Sequence, residues 1–263
     1  MPSQEINGFS MHYREKGTGE AVVLIHGFPL SSQIFESQIE ALSSSYRVIA
    51  PDLRGFGQST NTDRFSINSL ADDVHKLLSR LKVLPCVVGG LSMGGYIAEA
   101  FYKKYPNDIK KLILLNTKAE GDSSAAKDGR NKMIALCREF GSAGVAKEML
   151  PKMLSPRTIE RKNDVVDKLL KLMEAQPALT VEHALEALRD RDDQTALLGR
   201  ISVPTLIISG DGDQITGPLV AEPMQKAIAG SKLVVIPSAG HLSTMENPAA
   251  VNDALLEFLK GGE

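Results

Sequence analysis

A serine flanked by glycines is the first feature of this sequence that could do chemistry. Gly90-Leu91-Ser92-Met93-Gly94 follows a short apolar run that begins at Cys86, and apolar residues recur at every fourth position after it. The run predicts a buried strand, and the later spacing predicts a helix. A strand that turns directly into a helix leaves the residue at the turn strained and exposed, while Gly90 and Gly94 let neighbouring backbone pass closely. We therefore predict that Ser92 is a nucleophile at the end of a strand.

A serine hydroxyl needs a base to remove its proton, and an anion must orient that base. Of the five histidines, His241 is the one in a loop just after the last predicted strand. Asp211 and Asp213 both lie in the loop after the preceding strand, whereas the loop that starts at Asn116 has no carboxylate. These residue types predict acyl transfer by a Ser-His-Asp set, with either aspartate available as the acid.

The other four histidines have weaker claims to a catalytic role. His12 lies in a predicted hairpin, and His75 lies on a predicted helix, where we expect it to be solvated. His26 precedes a glycine at a strand end, which favours a role in bracing the loop by hydrogen bonds. His183 lies in a helical segment from which it could at most contact substrate.

Strands and helices alternate along most of the chain, which predicts a parallel, doubly wound sheet. In such sheets ligands bind beyond the carboxyl ends of the strands, where Ser92, His241 and one of Asp211 and Asp213 are expected. A hairpin around Asn7-Gly8 precedes this alternation. The predicted strands after it are Ala21–Ile25, Tyr46–Ala50, the run from Cys86, Lys111–Asn116, Val203–Ser209 and Leu233–Ile236, with helices at Gln33–Ser43, Ile67–Leu81, after Ser92 and from Asn247-Pro248 onward.

The alternation stops between about residues 118 and 199, where the sequence is charged and helical. We predict several helices and no strand here, with breaks at Gly141, Gly144, Pro151, Pro156 and Pro177. Because the strand pattern resumes afterwards, residues 118–199 are predicted to be a helical cap inserted into one core domain, formed by residues 1–117 and 200–263.

Composition narrows the choice of partners. A formal net charge of −2 over 263 residues gives no electrostatic reason to expect nucleic acid or an anionic membrane surface as a partner. No apolar run has the length of a signal peptide core or a membrane span, so a cytoplasmic protein is expected. Cys86 and Cys137 are too few for a disulfide framework and lack the spacing of metal ligands.

Five motifs in order identify the chain as similar to the α/β-hydrolase fold family over essentially its whole length. In that family the nucleophile, acid and histidine follow one another along the chain, and Ser92, Asp213 and His241 match that order. The resemblance further implies an oxyanion hole formed by the backbone N–H groups of Phe28 and Met93, and chemistry without cofactor or metal. The motifs are His26-Gly27-Phe28, Asp52 to Ser59, Gly90 to Gly95, Gly210 to Asp213 and Gly240-His241.

Within the family, the sequence around Ser92 and His241 is most similar to bacterial carboxylesterases and 3-oxoadipate enol-lactonases. This implies a serine hydrolase that cleaves small-molecule esters or lactones, of small to medium acyl size, through an acyl-enzyme. A C–C hydrolase or lyase, a cofactor-free perhydrolase and a slow-turnover ligand receptor remain as alternatives. The perhydrolase branch commonly has tryptophan in place of Phe28, and Gly217 stands where the acid loop usually has proline. Serine at position 92 argues against dehalogenases, epoxide hydrolases and dienelactone hydrolase.

Overall fold

The computed structural model describes residues 2–60 and 63–261, and its described strands form one eight-stranded sheet. The strand order is β1-β2-β4-β3-β5-β6-β7-β8, in which β1 and β2 pair antiparallel to their neighbours and the remaining pairs are parallel. The predicted parallel sheet with an N-terminal hairpin is confirmed. The strands are β1 (Ser3–Ile6), β2 (Phe9–Lys16), β3 (Ala21–Ile25), β4 (Arg47–Pro51), β5 (Cys86–Leu91), β6 (Ile109–Leu115), β7 (Thr205–Gly210) and β8 (Lys232–Ile236).

Helices cover both faces of this sheet, because its central strands are apolar on both sides. In β3, Val22 and Leu24 pack into one buried cluster, while Val23 and Ile25 pack into the other. Side chains of α2 and α3 belong to the cluster that contains Val23 and Ile25. Side chains of α1 and α11 belong to the cluster that contains Val22 and Leu24. Within the described residues, the α-helices outside the segment between β6 and β7 are α1 (Glu36–Leu42), α2 (Ile67–Leu81), α3 (Met93–Lys104), α9 (Pro218–Ala227), α10 (Ser243–Glu246) and α11 (Pro248–Lys260), and short 3₁₀ helices span Ser32–Phe35 and Pro106–Asp108.

The segment between β6 and β7 is helical, as the sequence predicts, and the expected breaks at Gly141, Pro156 and Pro177 are confirmed. The element α4 spans Ser124–Met153 and consists of two helical halves that meet at a sharp kink at Gly141, where φ is 66° and ψ is −165°. Pro156 begins the next helix, and Pro177 directly precedes the helix that starts at Ala178. Breaks at Gly144 and Pro151 were expected and are wrong, since both residues lie inside α4. Gly144 and Pro151 both weaken a helix, but the burial of Val145, Ala146 and Met153 offsets this effect. The helices that follow are α5 (Pro156–Arg161), α6 (Asn163–Glu174), α7 (Ala178–Arg189) and α8 (Thr195–Leu198).

Candidate active site

The turn from β5 into α3 has the strained geometry that the glycine spacing predicts. Ser92 has φ 54° and ψ −114°, a conformation that typically costs a non-glycine residue about 1–3 kcal/mol. A Cβ on Gly90 would lie 1.9 Å from the Gly94 carbonyl oxygen, and one on Gly94 would lie 2.0 Å from the Ile25 carbonyl oxygen. No other residue type fits at these two positions, so the glycines are what allows Ser92 to stand at the turn, where it is partly exposed.

Three side chains from three distant parts of the chain meet at this turn. The Ser92 hydroxyl lies 2.8 Å from His241 Nε2, and Asp213 Oδ2 lies 3.0 Å from His241 Nδ1. Because an ionised carboxylate only accepts, His241 carries its proton on Nδ1 and offers the Nε2 lone pair to the Ser92 hydroxyl. The arrangement therefore has the geometry of a nucleophile, a base and the acid that orients the base.

Asp213 is ionised although it is buried. Burial opposes its ionisation, but the electrostatic interaction with His241 and hydrogen bonds from His241, Asn116 and Thr216 together outweigh burial and hold the pKa of Asp213 far below its usual range. Its Oδ1 accepts the backbone N–H groups of Ile215 (2.8 Å) and Thr216 (3.0 Å). The Thr216 hydroxyl donates to Oδ2 at 2.9 Å and also lies 3.2 Å from His241 Nδ1.

Asn116, which follows β6, is a site residue that sequence reasoning missed. Its Nδ2 donates to Asp213 Oδ2 at 2.9 Å and to the Gly240 carbonyl at 3.2 Å, and its Oδ1 accepts the Ser243 hydroxyl at 2.6 Å. The loop that starts at Asn116 contains no carboxylate, so the Asn116 amide was not predicted to support an acid that lies in another loop. Its position directly after a predicted strand was the available sequence signal, and the structure adds that Asn116 lies in the left-handed region with φ 44°.

The two candidate acids have different surroundings. Asp211 is exposed, and its Oδ1 accepts a single backbone N–H, from Ala239 at 3.2 Å. Asp213 is 8% exposed and faces His241. The structure thus brings Asp213, and not Asp211, together with His241 and Ser92.

The backbone N–H groups of Phe28 and Met93 were predicted to form an oxyanion hole. Met93 is the first residue of α3, directly after Ser92, and Gly27 lies so close that a Cβ on it would be 3.2 Å from Ser92 Cβ. Neither the Phe28 nor the Met93 N–H donates a hydrogen bond to another residue within the described parts of the chain. Both N–H groups are therefore without a hydrogen-bond partner in the described part of the chain, and the oxyanion hole stays a prediction.

His26 braces this region and does not reach the Ser92 hydroxyl. Its Nδ1 donates to the Gly27 carbonyl at 2.9 Å, and its Nε2 accepts the Leu53 N–H at 3.0 Å. Burial lowers the pKa of His26, which keeps the ring neutral in this bonding pattern. The predicted bracing role of His26 agrees with these bonds.

The remaining histidines lie away from the Ser92 turn. His12 is buried, with Nδ1 2.8 Å from Asp52 Oδ2. The expectation that His75 is solvated is wrong, because its Nε2 lies 2.8 Å from Asp108 and its ring stacks on Tyr105 with centroids 3.7 Å apart. His183 is buried on α7, edge-on to Phe65.

A cleft of about 550 Å³ lies between the two halves of α4, next to the acid loop. We call it the α4 cleft. Ile215 lines the cleft and its backbone N–H binds Asp213, whereas Ser92, Asp213 and His241 themselves do not line it. The apolar residues that line the cleft are Ala126, Met133, Leu136, Met149, Leu185 and Ile215, and the charged residues that line it are Arg130, Lys132, Glu148 and Lys152.

Two further observations concern cofactors and membranes. Across residues 2–60 and 63–261, no group of three or more His, Cys, Asp or Glu side chains is arranged to hold a metal ion. No helix in the described part of the chain combines the length and apolar character needed to cross a membrane.

Known proteins resemble this chain over nearly its full length. A family model described as "alpha/beta hydrolase fold" matches residues 20–248. The chain is similar to an esterase from Thermogutta terrifontis (38% identity, TM-score 0.94, covering 98% of this chain and 96% of that one). It is also similar to the enol-lactonase from Burkholderia xenovorans LB400 (28%, 0.91, 98% and 99%) and to a bromoperoxidase from Bacillus anthracis (26%, 0.85, 96% and 96%).

Proposed function

The chain belongs to the α/β hydrolase fold family, and on that premise we propose that it is a serine hydrolase that cleaves carboxylic esters or lactones. The observation that carries this proposal is the hydrogen-bonded series from the Ser92 hydroxyl through His241 to ionised Asp213. Similarity to an esterase and to an enol-lactonase supports the same class of substrate.

In this proposal the reaction proceeds through an acyl-enzyme. His241 Nε2 takes the Ser92 proton while the hydroxyl oxygen attacks the substrate carbonyl, and the N–H groups of Phe28 and Met93 bind the oxyanion. The imidazolium then returns the proton to the leaving alcohol, or to the enol oxygen of a lactone. Water, deprotonated by the same nitrogen, attacks the acyl-enzyme and releases the acid.

We further propose that residues 118–199 act as a cap that sets substrate size. The α4 cleft supports this role, because helices of this segment line it and it borders the acid loop. Its apolar lining and volume of about 550 Å³ suit an acyl chain of small to medium length.

The test is a substrate panel with a matched pair of variants. The purified protein should hydrolyse 4-nitrophenyl acetate, butyrate and octanoate, and simple lactones, without added cofactor. Ser92→Ala should lower kcat by at least about two orders of magnitude. Ser79→Ala, which removes an exposed hydroxyl from α2, should leave kcat unchanged.

The same panel separates the proposal from its alternatives. A ligand receptor would bind these compounds with little turnover, and a C–C hydrolase would turn over a substrate with an activated C–C bond faster than any ester or lactone of the panel. A perhydrolase would form peracid when a carboxylic acid and hydrogen peroxide are supplied, a possibility raised by the similarity to a bromoperoxidase. Full ester turnover by Ser92→Ala would contradict the proposed nucleophile.

A further inference from the structure

Glu246, at the end of α10, is a buried carboxylate with three backbone partners. Its Oε1 accepts the N–H groups of Gly240 at 2.8 Å and Leu242 at 3.2 Å. These two residues flank His241 in the chain. Its Oε2 accepts the N–H of Ser155, which follows α4, at 2.8 Å. One side chain therefore holds the histidine loop on both sides of His241 and ties it to the helical segment.

The main chain around Glu246 joins the same two parts of the protein. The carbonyl of Met153, the last residue of α4, accepts the N–H of His241 at 3.0 Å and of Leu242 at 3.3 Å. A Cβ on Gly240 would lie 2.4 Å from the Ser155 nitrogen, so the two backbones are in direct contact. Lys162 Nζ donates to the Glu246 carbonyl, not to its carboxylate. The Glu246 carboxylate thus accepts hydrogen bonds from backbone N–H groups around His241 and from Ser155.

We propose that Glu246 is a positioning residue that sets the place of His241 relative to Ser92 and Asp213. This inference rests on the proposed function, because it assumes that His241 is the base. Glu246 acts through the loop backbone and does not touch substrate. A misplacement of about 1 Å in such a group can lower turnover by roughly a hundredfold, because proton transfer needs His241 Nε2 at hydrogen-bond distance from Ser92.

Two substitutions separate the functions of the two carboxylate oxygens. In Glu246→Gln the amide oxygen can still accept Gly240 and Leu242, but the amide NH₂ then faces the Ser155 N–H and that bond is lost. In Glu246→Leu the N–H groups of Gly240 and Ser155 lose their acceptor, and the Leu242 N–H keeps only the Met153 carbonyl. We expect kcat to fall by about tenfold in the glutamine variant and about a hundredfold or more in the leucine variant, with KM within about threefold of wild type in both.

The readouts are chosen to distinguish positioning from a loss of stability. Kinetics are measured well below the melting temperature of each variant, alongside the rate at which an aryl phosphonate labels Ser92. In ¹⁵N-histidine-labelled protein, the His241 Nδ1 proton signal should shift or broaden in Glu246→Gln. Glu257→Gln, an exposed glutamate on α11, is the control and should change none of these quantities.

The possible results separate a positioning role of Glu246 from a role in substrate binding and from a failure of the proposed function. If folded Glu246→Gln has wild-type kcat, labelling rate and Nδ1 signal, the positioning role is refuted, even if Glu246→Leu fails to fold. If KM rises while kcat stays constant, Glu246 serves substrate binding and the inference is also refuted. If the wild-type protein itself turns over no ester or lactone, the proposed function fails instead, and the Nδ1 signal still reports whether Glu246 positions His241.

Discussion

Replacing Asp213 by asparagine tests the proposed acid with almost no change in shape. The two backbone N–H groups at Oδ1 cannot turn away, so the amide oxygen should take that side and accept them. The amide NH₂ then faces His241 Nδ1, Asn116 Nδ2 and the Thr216 hydroxyl. A donor at that place favours the histidine tautomer with its proton on Nε2. That tautomer cannot accept the proton of Ser92.

The size of the loss follows from these contacts. A wrong tautomer combined with an unsupported imidazolium lowers kcat by about 10⁴ in serine proteases, or roughly 5.5 kcal/mol. Here the Thr216 hydroxyl lies 3.2 Å from His241 Nδ1 and offers a second acceptor for the Nδ1 proton. We therefore expect a loss of about 10³ to 10⁴ in kcat at neutral pH.

The assay compares Asp213→Asn with Asp211→Asn on a 4-nitrophenyl ester. Asp211 is exposed and accepts one long hydrogen bond, so its variant should keep kcat within about twofold and lose at most about 1 kcal/mol of stability, or roughly 2–4 °C in Tm. A large kcat loss in Asp211→Asn with near-normal kcat in Asp213→Asn would refute the assignment of the acid.

Stability against pH gives a second readout for the same variant. Burial opposes ionisation of Asp213, yet His241 and its hydrogen-bond donors hold the pKa of the folded carboxyl below that of the unfolded chain. Ionised Asp213 therefore contributes stability above the unfolded value of about 3.9, and this contribution is lost as the pH falls through the folded pKa. The difference in Tm between wild type and Asp213→Asn should shrink from pH 7 to pH 3. A constant difference would contradict the direction of the shift.

Two further predictions concern groups outside the Ser-His-Asp set. Burial raises the pKa of Glu99 well above its usual range, and Arg191 only partly opposes it, so the folded protein retains a proton that the unfolded chain releases above about pH 4.3. Glu99→Gln should therefore raise Tm at pH 8 relative to wild type but not at pH 4, and an equal effect at both pH values in differential scanning fluorimetry would contradict this. Leu136→Phe narrows the α4 cleft and should lower kcat/KM for the octanoate ester by about tenfold relative to the acetate ester. Equal losses on both esters would make this segment merely structural.

Features that depend on residues close together in the chain could be predicted from the sequence. The Ser92 turn needs only an apolar strand, two glycines and a helix, all within about twenty residues. A Cβ at either glycine position would clash with neighbouring backbone, so no other residue type fits there. The hairpin at Asn7-Gly8 is equally local, with both residues at positive φ. The alternation of apolar runs and helical spacing likewise predicted the parallel sheet, because each strand must be covered on both faces.

The support around these residues was decided by tertiary structure. Asn116 reaches Asp213 across 97 residues of sequence, and Glu246 reaches Ser155 across 91. No sequence pattern identifies the hydrogen-bond partner of an amide or a carboxylate in a loop, because possible donors occur all along a chain. The uninterrupted second half of α4 has the same cause, since its burial outweighs the local preferences of Gly144 and Pro151. Local sterics thus determine where Ser92 stands, whereas long-range packing determines what orients Asp213 and His241 around it.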